Sequence, residues 1–556
     1  MDEVFLGVDL GTTTTLIARA IQGEDSISVK VLPIRQKGRN SEIEMNYLPS
    51  VAYFPPGGAP MVGMEAQVHG PEEDASRYVR AVKRQMGRRL LLPVVDREPY
   101  VVSALYLAYA LKEGQYNLPM GEMTFTVTVP ASFTTNQRAD TLLALRKACE
   151  VAQIRYPQED EGQLFISEPV AAMLAFLNQE FARPEAVRKL DLSKKNRVVV
   201  YDIGGGTLDL TLVFVEPQTT PVRTLADLSV CVDMIGYYNP FGGEDFDLAL
   251  ARELHRRFLE QYPDLASMTL NPNQRLGLRL QLMNLAKLIK ENLSDEMSQQ
   301  GFLDDTEKPA HYSKSIRIFE RLYLLEGEIT ASQYLQVVQG LREGSSRKSL
   351  VKPLNDLLHK TPFDPARLEG LLIVGGMGLL PLVEETLHSW WGNDHVWVFN
   401  PPDHAVVTGA AIYSYLRRRY PGFSLQESAA DAYYVRLKDR FDMILPSKAK
   451  QGERKPYALD TDSDRLRLEI FAGEEPELGK SIETIYPTLI HQGGTTIPLG
   501  EKRRKGTPVW VQMLYEDESG QDHSKVPIVC IWIENGEGKP LFRRRYSEIM
   551  QETRHE

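Results

Sequence analysis

GVDLGTTTT, residues 7–15, sets four threonines directly behind a glycine, with Asp9 two residues before that glycine. Alone, the run fits a plain hairpin turn in a β-rich protein. Its meaning depends on whether the chain holds a counterpart, and YDIGGGTLDL, residues 201–210, is one. Each stretch runs strand, aspartate, glycine turn, threonine, returning strand. Together they predict the openings of two halves of a duplicated fold.

The pairing gives the threonines a purpose. A phosphate chain needs backbone N–H donors that side chains do not obstruct. Glycine permits the close approach and the positive φ of such turns. Threonine hydroxyls add donors, and aspartates at the strand ends would face the metal that accompanies a triphosphate. A single GGGT is more often a structural loop. Two matched Asp-Gly-Thr hairpins, with IVGG at 373–376 before a helix, point to a nucleotide. The chain has neither a P-loop consensus nor a strand–GxGxxG–helix unit.

Length and composition bound the rest. The 556 residues call for two to four domains. Apolar content of 42% and charged content of 25% fit a globular chain. A net charge of −11 argues against a general nucleic-acid footprint. The basic runs EKRRKG (501–506) and FRRRY (542–546) have acidic neighbours and read as solvated loops and strand edges. Cys149, Cys231 and Cys530 are too far apart for a disulfide framework or zinc spacing. Cys149 falls on a helical apolar stripe with Leu142, Leu145 and Ala152, and reads as core. The N-terminus enters a strand at once and does not read as a signal peptide. The apolar runs 100–111 and 371–383 are too short to span a bilayer. A cytoplasmic protein that meets neither nucleic acid nor membrane is the expectation.

Strand and helix patterns alternate from 1 to about 420. Strands are expected on both sides of each turn, with Leu208, Leu210, Leu212 and Phe214 sharing a face. MTFTVTVP (123–130) alternates as a strand. Helices are expected over about 135–153, 275–294 and 405–419, and a buried strand runs into the glycine turn at 368–380. This is an α/β pattern. After about 421 the helical period vanishes. RLRLEIF (465–471), PVWVQMLYE and VPIVCIWIENGEG read as strands, the last ending at the turn signal Asn535-Gly536. FDMILPSKAKQGERK (441–455) and GGTTIPLGEKRRKG (493–506) look alike and hint at a repeated hairpin.

The turns do not stand alone. VGMEA (62–66), RAVKRQMGRR (80–89), VTVPASFTTNQR (127–138), ISEPVAAMLAF (166–176), VVYDIGGGTLDL (199–210) and FGGEDFD (241–247) follow in order. The chain resembles the actin, sugar-kinase and heat-shock ATPase superfamily. Within it, the match is to the seventy-kilodalton heat-shock chaperones, the DnaK-like proteins, without their helical lid. The resemblance implies a duplicated actin-like (ribonuclease-H-like) α/β ATPase domain of two lobes over 1–420 and a linker over 421–431. A small all-β, sandwich-like domain over 432–546 would bind substrate or partner, and 547–556 would be a tail.

The resemblance also implies roles. Asp9 and Asp202 would hold Mg²⁺, mostly through its waters. Gly11, Thr12, Thr13, Thr14, Gly204, Gly205 and Gly206 would bind phosphates. Lys83 would reach the γ-phosphate and the attacking water, although composition alone makes it a surface lysine. Glu168 would orient or deprotonate that water; a helix-start carboxylate before Pro169 is the plainer reading. Thr207 would contact the γ-phosphate. Asp209 would bind a monovalent cation such as K⁺, or is an ordinary strand position. Lys83, Glu168, Thr207 and Asp202 form the implied catalytic set. Gly243, Glu244, Lys290, Ser294, Gly375, Gly376 and Asp403 complete the nucleotide contacts, and Pro130 with Arg138 matches the family's interdomain relay.

The chain departs from the family on the adenine side. Glu291 stands where one stacking arginine belongs and Lys287 at an acidic position, while Met377 and Leu379 replace the serine and arginine of the other loop. About 1 kcal/mol of cation–π contact is lost at each site. The linker PGFSLQESAADA (421–432) lacks the family's leucine run. The expected function is a slow, Mg²⁺-dependent ATPase and chaperone. ATP and ADP would control binding of a client peptide or dedicated partner protein, with co-chaperones. An actin-like nucleotide-binding scaffold with little turnover, and a sugar kinase, are the alternatives.

Overall fold

The computed structural model describes residues 2–23, 26–39, 41–87, 91–115, 121–133, 135–157, 164–235, 240–300, 309–344, 346, 348–360, 368–420, 423, 425, 432–437, 440–445, 455–459, 461–473, 490–514, 528–533 and 541–545. Most of the linker, the Asn535-Gly536 turn and the tail lie outside them. The chain forms two compact units. One comprises 1–130, 143–159 and 165–423; the other comprises 131–142, 160–164 and 424–556.

The first unit contains the same sheet twice. Strands β1 (Asp2–Leu10), β2 (Thr14–Gln22) and β3 (Ile27–Val31) run antiparallel, and a short β4 (Leu48–Pro49) pairs with β2. From β1 the sheet continues in parallel through β5 (Gly121–Val129) and β6 (Phe165–Ser167). The order is β3-β2-β1-β5-β6. In the second half, β7 (Asn196–Ile203), β8 (Leu208–Pro217) and β9 (Leu228–Ile235) are antiparallel. A hairpin of β10 (Ala310–Ile318) and β11 (Arg321–Ile329) is inserted. β12 (Gly370–Val374) and β13 (Val396–Val398) then extend β7 in parallel, giving β9-β8-β7-β12-β13. The expected duplication is thus present strand for strand.

The central strands read as near-continuous apolar runs because helices cover both faces of such sheets. β12 is buried along its whole length. Val199, Tyr201 and Ile203 of β7 pack with Leu208, Leu210 and Leu212 of β8 under helices α2 (Gly243–Gln261) and α3 (Pro272–Gln300). Each such side chain contributes about 1.5–3 kcal/mol. Phe214 continues this face but is only half-buried: Lys195 Nζ lies 3.9 Å from its ring centroid and Arg197 5.1 Å. Cys149 is buried, as its stripe required.

Helix α4 (Ala405–Arg419) sits against the first half, and α1 (Glu168–Ala182) packs on α4 and touches strands of both halves. The small residues of AVVTGAA have a steric reason. A Cβ on Gly409 would lie 1.6 Å from the Ala171 carbonyl oxygen, so only glycine lets these helices cross. The last turn of α4 carries Arg417, Arg418 and Arg419, which suits the helix dipole; two of them pair with Glu3.

In the second unit, β14 (Ala432–Leu437), β15 (Arg440–Leu445), β17 (Ser463–Gly473) and β18 (Ile490–Arg503) make a sheet ordered β15-β14-β17-β18. β16 (Lys455–Ala458), β19 (Pro508–Leu514), β20 (Ile528–Ile533) and β21 (Phe542–Arg545) make another, in that order. One core joins the sheets, including Tyr433, Val435, Ile470, Val511, Met513 and Ile531. The stretches 441–455 and 493–506 are not repeated hairpins. Each leads from the first sheet to the second, and the strands they reach, β16 and β19, pair with one another. Among the described residues, no helix is long and apolar enough to cross a membrane.

Candidate nucleotide site

The two glycine turns face each other. A Cβ on Gly205 would stand 2.3 Å from Thr13 Oγ1, so the second turn fits against the first only as glycine. Gly11, Thr12, Thr13 and Thr14 are all half-buried around the first turn. Ser50 N donates to Thr13 O at 2.8 Å. In the second turn Gly204 N donates to Thr207 O at 2.9 Å. The N-terminus of α2 donates to this turn: Gly243 N to Gly204 O at 3.0 Å and Glu244 N to Gly205 O at 2.6 Å. Arg84 Nη2 donates to Gly206 O. Three successive carbonyl oxygens are therefore occupied by donors, which removes lone pairs that would repel an anion.

The carboxylates meet beside the turns. Asp202 and Asp209 lie directly opposite one another on β7 and β8, an arrangement that costs stability unless positive charge intervenes. Asp9 accepts from Thr128 Oγ1 at 2.7 Å. Burial pushes Asp9 up to about 6, with Lys83 opposing and Glu168 adding. It pushes Asp209 up to about 7, with Glu168 adding against Lys83, Thr207 and Arg84. Asp202 is held well above the ordinary range by burial and then by Glu168, Asp209 and Asp9. Such uncompensated negative charge fits a divalent cation, whose binding relieves it. Among the described residues, no group of three or more acidic, histidine or cysteine side chains is placed to ligate a metal directly.

Lys83 belongs to a 3₁₀ turn, Val82–Gln85, and is 5% exposed rather than a surface lysine. It forms an ion pair with Glu168, the first residue of α1, itself 8% exposed. Burial alone would lower the Lys83 pKa, but Glu168 and Asp9 outweigh it and raise the value, keeping the ammonium charged. Ala81, two residues before Lys83, adopts the left-handed conformation (φ 53°), which turns the chain inward.

The residues expected on the adenine side are placed as follows. Lys290 Nζ lies 2.7 Å from Asp247 Oδ1, both buried. Ser294 Oγ donates to Leu379 O at 2.8 Å. Glu291 pairs with Lys287 at 3.7 Å on the surface of α3. Leu379 is 50% exposed and Met377 is buried. Gly375, at φ +90°, brings the third turn against β7; a Cβ there would lie 2.5 Å from Asp202 Oδ1. Gly376 has open space at its Cα, and Asp403 sits in the 3₁₀ turn before α4. Glu244 pairs with Arg80 at 2.5 Å. Pro130, buried, follows β5 in the first unit. Arg138 belongs to the second unit, where Nε donates to Phe133 O at 3.4 Å.

Sequence reading did not single out Arg84, Thr128, Asp247 or Arg80. Arg84 and Arg80 lie within the quoted RAVKRQMGRR stretch, but their partners are more than a hundred residues away.

The Hsp70 protein family profile matches residues 99–419, more than half of the chain. The chain belongs to the Hsp70 family. It is similar to the chaperone protein DnaK of Thermotoga neapolitana, 26% identical over 494 residues, covering 85% of this chain and 71% of the relative. DnaK of Thermotoga maritima matches with the same figures, and DnaK of Thermosipho africanus is 26% identical over 489 residues. Hsp70 members are ATP-binding ATPases and chaperones, so the resemblance read from the motifs is correct at that level. The duplicated two-lobe α/β architecture is the Hsp70 ATPase fold.

Proposed function

We propose that this Hsp70-family chain binds Mg·ATP between its two facing turns and hydrolyses it slowly. Nucleotide state would control binding of a peptide or partner protein by the β-domain. The carrying observation is the apposition of Thr13 and Gly205. Two turns with donors on both sides suit a polyphosphate. Asp9 and Asp202 would hold Mg²⁺ mostly through its waters, and Asp209 a monovalent cation. When bound, the divalent ion neutralises phosphate charge. The residues of the chain do the rest. Lys83 stays cationic and positions charge at the γ-phosphate. Glu168, fixed by Lys83, orients the attacking water. The N–H groups and hydroxyls of Thr12, Thr13 and Thr207 hold the phosphates in line. Phosphoryl transfer needs positioning and charge stabilisation and no covalent step.

ATP turnover by the purified chain, with and without Mg²⁺, tests this reading. Slow, Mg²⁺-dependent release of phosphate supports it. Absence of both ATP binding and turnover refutes it. A second reading, a nucleotide-binding scaffold with little turnover, is favoured by Glu291, which stands beside Lys287 where the family places a stacking arginine. ATP binding without phosphate release, with nucleotide-dependent sedimentation, would select it.

A further inference from the structure

Three successive amides of the second turn have nothing to donate to. The N–H groups of Gly205, Gly206 and Thr207 reach no acceptor among the described residues, although Gly206 is buried. Unpaired amides are rare in such places. Their direction is set by the carbonyls before them. None of these peptide bonds is cis, and in a trans peptide the C=O and the following N–H point to opposite sides. Whatever grips the carbonyl of one residue therefore aims the N–H of the next. Helix α2, from the same half as the turn, grips two: Gly243 N donates to Gly204 O at 3.0 Å and Glu244 N to Gly205 O at 2.6 Å. The third grip comes from the first half. Arg84 Nη2 donates to Gly206 O from the 3₁₀ turn Val82–Gln85, 122 positions earlier in the chain. Gly206 needs no positive φ, but a Cβ there would collide with Arg84 Nη2. Arg84 Nε is buried as well and has no partner among the described residues. Four residues earlier, Arg80 pairs with Glu244, whose amide holds Gly205 O. The segment 80–84 thus holds the second turn directly at one carbonyl and through Glu244 at another, with Lys83 between its two arginines.

We infer that Arg84 is a positioning residue: from the first half it fixes the Gly206–Thr207 peptide of the second and so aims the Thr207 N–H at the terminal phosphate. This rests on the nucleotide reading above, in which Lys83, its neighbour in the same turn, is the cation at that phosphate. An amide already aimed needs no reorganisation when the charge arrives. The grip crosses from one half to the other, so this donor is in place while the two halves are together. ATP brings a terminal phosphate to it and ADP does not.

Calorimetric titration of the full chain with ATP and with ADP, each with Mg²⁺, tests this. Arg84→Ala is expected to weaken ATP about tenfold and to leave ADP within about twofold, so that ADP also reports a folded site. Gly206→Ala keeps the guanidinium but displaces it from the carbonyl, and is expected to match Arg84→Ala with both ligands. The double variant is expected to lose no more than either single one, because both remove the same grip. Unchanged ATP affinity in Arg84→Ala overturns the inference. An equal loss for ATP and ADP also overturns it, reducing Arg84 to a support of the turn. Additive losses in the double variant overturn the link through Gly206 and leave only the charge of Arg84 acting on the ligand. Wild type that binds neither nucleotide refutes the nucleotide reading and this inference with it.

Discussion

Lys83 and Glu168, separated by 85 positions in sequence, form a buried ion pair with side-chain exposures of 6% and 10%. Truncating one partner of such a pair strands the other charge, at about 3–5 kcal/mol. Lys83→Ala is therefore expected to lower both stability and turnover. Single-turnover hydrolysis should fall about a hundredfold or more, with ATP affinity changed only a few-fold. The double variant Lys83→Met with Glu168→Gln should recover much of the urea stability and none of the turnover. Turnover unchanged in Lys83→Ala would remove this lysine from the reaction.

Asp209 gives a pH signature. Its folded value of about 7 lies above the ordinary 3.8. Between these limits the folded chain holds more protons than the unfolded chain. The stabilising contribution of Asp209 is therefore fully present below pH 3.8 and is lost as pH rises through 7. Asp209→Asn abolishes that titration, so its melting temperature relative to wild type should rise from pH 5 to pH 8. Relief of the buried charge is expected to outweigh the partner that Lys83 loses, leaving a gain on the order of 1 kcal/mol at pH 8. A difference that is flat with pH would show that Asp209 is not held protonated.

The same charge makes stabilisation by Mg·ADP larger at pH 8 than at pH 5.5, where Asp9 and Asp209 are protonated. EDTA should abolish the difference. Thermal shifts of equal size at both pH values would contradict a cation among these carboxylates.

The apposed turns predict a rescue. Gly205→Ala places a methyl group 2.3 Å from Thr13 Oγ1, so ATP affinity should fall at least tenfold. Replacing Thr13 by Ala in the same chain removes the clashing hydroxyl and should restore part of that loss. Additive losses in the double variant would mean that the two turns do not meet.

Arg80 and Glu244 link the first half to the start of α2 at 2.5 Å, each partly exposed. A pair of this kind contributes up to about 1 kcal/mol. Arg80→Ala should speed release of labelled ADP up to about fivefold, and the effect should shrink in high salt. A rate that does not change at low salt would show that the pair does not restrain the nucleotide.

Much of this was legible in the chain. The hairpins around Gly11 and Gly204 carry local signals, namely alternation, an aspartate and a glycine turn, and these fix where two strands must reverse. The bounds of α4 follow equally from small residues at one end and arginines at the other. The burial of Lys83 has no local sign, because a left-handed Ala81 and a carboxylate on a distant helix create it. Thr128 beneath Asp9 and Arg84 on Gly206 were hidden for the same reason: each joins residues more than a hundred positions apart. The twin stretches 441–455 and 493–506 look like hairpins because a strand follows each basic run. Only the sheet order shows that they cross between layers.

The crossing of α4 with α1, so tight at Gly409, also sets a timetable. A Cβ on Gly7 of β1 would lie 2.3 Å from Ala411 N, so the first strand made is roofed by one of the last helices of its unit. At ribosomal speeds of about 5–20 residues per second, the wait is about 20–80 s. During it the apolar side of that early sheet stays bare, and a member of a chaperone family is for that interval a nascent chain in need of shelter.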